Sequence, residues 1–214
     1  SALLSPGGEE FLRASNVSLR LNVSDECNVA IAGASVVLAS VKDGGFTSCS
    51  PIAEEGGGVY NCSKNTTGFG TGWHNVSVNA SKSNYNSLNY SLFQNKFWVE
   101  TAPVLSAVKL NTSVYDSDDG ATGGFSEAFN FTINVTDEDN DTITAKLWLS
   151  KNGGAWSLAT TQVCSPCSNS QLYFTKSNFL STDIDSWEYK WNATEDDVWN
   201  ATTANYSFSV EKDD

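Results

Sequence analysis

The sequence predicts an all-β protein made of two tandem antiparallel β-sandwich domains. Three observations predict it. Apolar and polar residues alternate with a period of two along most of the chain, while the three- and four-residue apolar spacing of amphipathic helices is nearly absent. Turn residues (Gly, Asn, Asp and Ser) recur about every 8–12 residues, the rhythm of a sandwich. Near the middle, Glu100-Thr101-Ala102-Pro103 interrupts the pattern. Proline suits a strand edge or linker, and each half is then about 100 residues, an ordinary domain size.

Taken in order, the alternation predicts strands over 17–23, 35–41, 46–50, 59–62, 74–80 and 91–99. After the joint it predicts strands over 104–115, 129–136, 142–150, 156–163, 171–175, 187–191 and 206–210. The domain reading is an N-terminal extension over 1–14, a first sandwich over 15–101 and a second over 102–214. Residues 1–13, SALLSPGGEEFLR, have no evident partner in a first module of about six strands. They are therefore expected to be available as a strand donated to a neighbouring copy.

Composition narrows function. Net charge is −13 and only 17% of residues are charged, so there is no basic patch for nucleic acid or an anionic membrane. The most apolar stretch, residues 29–41, is broken by Gly33 and Ser35 and is too short to span a bilayer. The chain reads as a mature or trimmed form from which any export signal has been removed. Of five cysteines, Cys49 with Cys62 and Cys164 with Cys167 are expected as disulfides in an oxidising exterior. Cys27 is left over: free, bonded to another chain, or competing for Cys49 or Cys62. A redox or zinc role for Cys164-Ser165-Pro166-Cys167 is disfavoured, because no helix pattern follows it and no second ligand pair accompanies it.

The first half carries LRLNVSDECNVAIAGASVVLA, then GGGVYNCS, then GWHNVSVNASKSNYNS. Gly33-Ala34-Ser35-Val36, Gly58-Val59-Tyr60, the stretch from Gly72 to Val78, and Tyr85 give this half a pattern that resembles prealbumin-like sandwich modules, relatives of carboxypeptidase regulatory domains. The resemblance covers roughly residues 17–99 and implies a fold, with no activity. The second half, FNFTINVTDEDNDTITAKLWLSKNGGAW, resembles immunoglobulin- or cadherin-like surface modules, with Trp148 expected in the core. No cysteine pair flanks Trp148, so it is not an antibody-type domain.

Asn-x-Ser/Thr triplets begin at Asn16, Asn22, Asn61, Asn65, Asn75, Asn79, Asn89, Asn111, Asn130, Asn134, Asn140, Asn192, Asn200 and Asn205. These are 14 of 21 asparagines, where chance placement would give about five. Asparagine is disfavoured inside strands, yet NVSVNAS and NFTINVT place pairs at even spacing there. Even spacing puts both asparagines on one face, with Val76 and Val78, or Phe131, Ile133 and Val135, on the other. N-linked glycans need that outward face, and sugar would keep a surface of low charge soluble.

Three further constellations bear on function. Asp137, Asp139 and Asp141 could hold Ca²⁺, as cadherin-like modules do, but EF-hand spacing fails and a solvated acidic turn is the plainer reading. Trp187, Tyr189 and Trp191 share a strand face, which is read as core before a sugar-stacking platform. His74, the only histidine, alternates with Val76 and Val78 and reads as structural; no residue set favours catalysis, and no enzyme activity is expected. The expected function is a heavily N-glycosylated structural subunit of an extracellular cell-surface assembly. The specific form is a filament or pilus, resembling archaeal surface proteins, that docks on copies of itself or other surface proteins through domain ends or donated strands. The alternative is an adhesin or carbohydrate-binding module. Neither reading involves nucleic acid or membrane insertion.

Overall fold

The computed structural model describes residues 1–112, 116–117, 122–195 and 199–212; of 116–117 it describes the backbone. Tyr115, the end of the strand expected over 104–115, lies outside the described residues. The chain divides into two compact units, Ser1–Thr101 and Ala102–Asp214. Each is an immunoglobulin-like sandwich of two sheets.

The first unit contains β1 (Ala2–Ser5), β2 (Glu9–Leu12), β3 (Asn16–Asn22), β4 (Ser35–Lys42), β5 (Gly45–Cys49), β6 (Ala53–Gly56), β7 (Val59–Asn65), β8 (Gly72–Ser81) and β9 (Leu88–Glu100). One sheet has the order β1-β3-β7-β6 and the other β2-β9-β8-β4-β5. Alternation sets the core: Val17, Leu19 and Leu21 face inward from β3 against Leu38, Val76, Val78, Phe97 and Val99. Cys49 and Cys62, both buried, are bonded to one another and tie β5 of one sheet to β7 of the other. Gly58, just before β7, has φ +72°; a Cβ there would lie 2.6 Å from the Val23 carbonyl, so only glycine fits.

Residues 1–14, expected to be an extension without a partner, form the outer strands of both sheets. β1 pairs antiparallel with β3, Ala2 opposite Asn22, and β2 pairs parallel with β9, Glu9 opposite Phe97. Gly8, at φ +113°, lies where the chain crosses from one sheet to the other. The crossing is anchored by Phe11, whose ring packs edge-on against Phe97 at 6.1 Å. The two places a donated strand would take, beside β3 and beside β9, are filled by the chain's own residues.

The second unit contains β10 (Val104–Thr112), β11 (Asp116–Ser117), β12 (Thr122–Gly124), β13 (Phe129–Thr136), β14 (Ile143–Lys151), β15 (Ser157–Cys164), β16 (Ser170–Lys176), β17 (Asp185–Glu195), β18 (Trp199–Thr202) and β19 (Tyr206–Glu211). Its sheets run β11-β10-β13-β16 and β12-β19-β17-β14-β15, with β18 also on β17. The device of the first unit recurs: β10 pairs antiparallel with β13, and β12 pairs parallel with the last strand, β19.

The core tryptophan is Trp191, not Trp148. Trp191 is fully buried opposite Leu147, whereas Trp148 is opposite Lys190 on the outward face. Cross-strand partners share a face, so the parity of Ala145, Leu147 and Leu149 excludes Trp148 from the interior. Tyr189 joins Trp191 in the core, with Phe131 5.1 Å away ring to ring.

Deleting residues 1–13 should destabilise the first unit by exposing two strand edges and the Phe97 ring. The expected outcome is an earlier thermal transition for that unit with the second unchanged, measured by calorimetry on the intact chain. Replacing both Cys49 and Cys62 by serine should cost the same unit about 3 kcal/mol, read by denaturant unfolding.

Candidate functional site

Two features stand out: faces that carry asparagine and a cluster of acids at one end of the second unit. None of the fourteen triplet asparagines is buried. In the first unit, Asn16, Ser18, Arg20 and Asn22 of β3 face outward beside Asn65, Ser63 and Asn61 of β7, because each pair is in cross-strand register. Four triplet asparagines therefore share one polar face. In the second unit Asn111 and Asn130 are direct cross-strand partners, with Asn134 four residues on.

Side-chain bonding sorts these positions. Asn65 Nδ2 donates to Ala14 O and to Asn16 Oδ1, both at 3.0 Å. Asn192 Nδ2 donates to Ala201 O and Thr202 Oγ1. An amide nitrogen bonded to sugar keeps one hydrogen, so both of these asparagines would lose a bond on modification. Asn75 uses its carbonyl instead, accepting from Asn95 N at 2.8 Å.

The outward face of β8 and its neighbours differs in character. Trp73, Asn75, Ser77 and Asn79 point out from β8, with Val37, Ala39 and Val41 beside them on β4 and Leu92 and Trp98 on β9. Phe46, opposite Val41, meets Tyr90 at 6.0 Å. Phe46 is 59% exposed and Tyr90 53%, so this face combines aromatic surface with two triplets.

His74 is buried between the rings of Phe69 and Phe97, each 5.0 Å away. Its Nε2 donates to the Gly70 carbonyl at 2.8 Å, which leaves Nδ1 to accept from the Ser40 hydroxyl at 2.9 Å. Burial lowers its pKa below the ordinary 6.5. This is a satisfied core histidine. Cys164 and Cys167 are bonded to each other, and Cys27 is exposed and unbonded.

The acids Asp137, Asp139 and Asp141 come together in the turn between β13 and β14, and Glu195 joins them from the end of β17. The carboxylate oxygens of Asp139, Asp141 and Glu195 lie within 4.8 Å of one another. Asp137 Oδ2 accepts from Asp141 N at 2.7 Å, and Asp137 N donates to Cys167 O at 2.7 Å. The turn is thus pinned to the disulfide loop. Burial, with Asp139 and Asp141 adding, pushes Asp137 up to about 6. Burial first, then the charges of Asp141, Asp139 and Asp137, push Glu195 up to about 8. Glu195 was missed in sequence because it is 54 residues beyond Asp141 and no local motif marks it.

No protein-family description matches the chain, and no curated protein matches it. Among solved structures it is similar to DIP-gamma IG1+IG2, at 9% identity over 99% of this chain and 98% of that one, TM-score 0.47. It is also similar to the tandem Ig repeats of Dlar, at 10% identity over 97% and 94%, TM-score 0.33. The chicken interferon gamma receptor alpha chain is a third, at 8% identity over 99% and 97%, TM-score 0.35. The fold assignment rests on the strand order and register above.

The two units should respond oppositely to pH. In chelator, Glu195 keeps its proton to about pH 8 when folded but releases it near 4.5 when unfolded. The folded state therefore binds more protons across that window, and the second unit loses stability as pH rises through it. His74 has the reverse effect: the unfolded chain takes up a proton near pH 6.5 that the folded chain resists. The first unit should lose stability as pH falls below about 6.5. Calorimetry in EDTA from about pH 5 to 8 checks both slopes, and Glu195→Gln should flatten the second.

Proposed function

We propose that this chain is a heavily N-glycosylated structural module of an extracellular surface assembly, with a filament or pilus as the specific form. One observation carries the reading: none of the fourteen triplet asparagines is buried, and twelve of them, in both units, lie on strands. Two disulfides fit an oxidising exterior. Because residues 1–13 already pair within their own unit, copies would meet at domain ends or through the outermost strands, not by donation of that segment.

The aromatic face of the first unit favours a second reading, an adhesin or carbohydrate-binding module. Phe46, Trp73, Tyr90 and Leu92 form a surface on which sugar rings could stack. The same surface also suits the chain's own sugars at Asn75 and Asn79, which rise from its middle. Glycan-array binding by the enzymatically deglycosylated chain would favour the adhesin; ordered polymers in negative-stain images without array binding would favour the structural subunit.

Intact mass before and after deglycosylation tests the sugar itself, and no mass change in protein from its native source would sink the reading. Glycopeptide mapping should find Asn16 and Asn65 not occupied together, because cross-strand neighbours have Cβ atoms only about 5 Å apart. Asn65→Gln should raise occupancy at Asn16. Asn75→Gln with Asn79→Gln should leave folding intact and increase dye binding and self-association through the bared aromatic face.

A further inference from the structure

Strand parity places two carboxylates at positions that otherwise belong to the core. The inward series of β13 runs Phe129, Phe131, Ile133, Val135 and continues into Asp137; that of β17 runs Tyr189, Trp191, Ala193 and ends in Glu195. β13 and β17 belong to different sheets, so the two acids close the same end of the sandwich from opposite sides. Asp137 is 4% exposed and Glu195 5%.

Burying carboxylates is unfavourable unless something compensates them. Asp137 Oδ1 and Glu195 Oε2 are both buried and have no hydrogen-bond donor. The charges of Asp141, Asp139 and Asp137 repel that of Glu195. An orphaned acceptor aimed at other acceptors calls for a cation. We propose that the carboxylates of Asp139, Asp141 and Glu195 bind one calcium ion at this end of the second unit.

The chemistry of the donors selects the ion. All are oxygens, the only histidine lies in the first unit, and both nearby cysteines are consumed in a disulfide, so a hard cation is favoured over zinc or copper. Calcium tolerates irregular sets of six to eight oxygens and two-oxygen carboxylate binding, whereas magnesium demands a near-regular octahedron. A turn facing a strand end supplies the former kind of set. Asp137 acts as a positioning residue: it holds the Asp141 amide, and its own amide is held by Cys167. The turn is therefore preshaped before the ion arrives. The donors are protein carboxylates, and the triplet asparagine Asn140 lies between Asp139 and Asp141 in the same turn.

The experiment uses the full chain, stripped with EDTA and titrated with CaCl₂ at constant ionic strength near neutral pH. Isothermal titration should give saturable binding of one ion with Kd in the range of extracellular modules, roughly 10⁻⁴ to 10⁻³ M. The second unit's Tm should rise by about 5 °C or more once calcium exceeds Kd tenfold. Glu195→Gln and Asp141→Asn should each weaken binding at least about tenfold while remaining folded in EDTA, since each keeps the side chain's shape and adds no charge to the acid cluster. No saturable heat up to about 10 mM calcium, equal binding of MgCl₂, or full calcium binding by both variants would overturn the proposal.

Discussion

Both units depend on the two-residue period of the β-strand. A strand that buries one face must present the other, and in a sandwich the buried face meets the opposite sheet about 10 Å away. Val17, Leu19 and Leu21 are buried because Asn16, Ser18, Arg20 and Asn22 face outward, and the converse holds equally. The same rule operates on β8 and β13. Asparagine, which a strand disfavours, is tolerated at these positions because its amide reaches solvent or a neighbouring polar side chain instead of the core. The acids at the second unit's end follow from the same rule applied once too often: Asp137 and Glu195 sit where the next inward residue would be, and the interior receives carboxylates in place of apolar carbon.

Edges are the second constraint. An open sandwich presents unpaired backbone groups at its outer strands, which invite pairing with other chains. Each unit splits its first segment between both sheets, antiparallel to the next long strand and parallel to the last one. β1 and β2 do so across Gly8; β10 and β12 do so in the second unit. This arrangement ties the two sheets together along one side without a covalent bond, and in the first unit the Cys49–Cys62 bond adds a covalent tie from β5 to β7.

The long central strands were legible in the sequence because alternation over seven or more residues has one structural meaning. The outward asparagines and the two disulfides were legible for related reasons: strand parity, and cysteine count in a chain of exterior character. The short strands β1, β2, β6, β12 and β18 were not, since three or four residues such as AEEG carry no period. They exist because neighbouring edges satisfy their backbone groups. Trp148 was misplaced because it lies within AKLWLS, where Leu147 and Leu149 claim the interior and the tryptophan takes the intervening parity. Glu195 was illegible because its partners are contributed by a turn on another strand, and only the fold brings them together.

The surface is partitioned in a way that bears on assembly. The β3–β7 face of the first unit is polar and crowded with asparagine, while the β8 face carries Val37, Phe46, Trp73, Tyr90 and Leu92 around Asn75 and Asn79. Contiguous apolar surface of this kind is uncommon on an isolated soluble domain and needs covering. A sugar attached within the patch meets that need at no cost in protein contacts, because the faces of sugar rings are themselves partly apolar. The acidic end of the second unit concentrates charge in the turn between β13 and β14, where the triplet asparagine Asn140 also lies, so an ion bound there would stiffen that turn. Faces and ends thus present different chemistry.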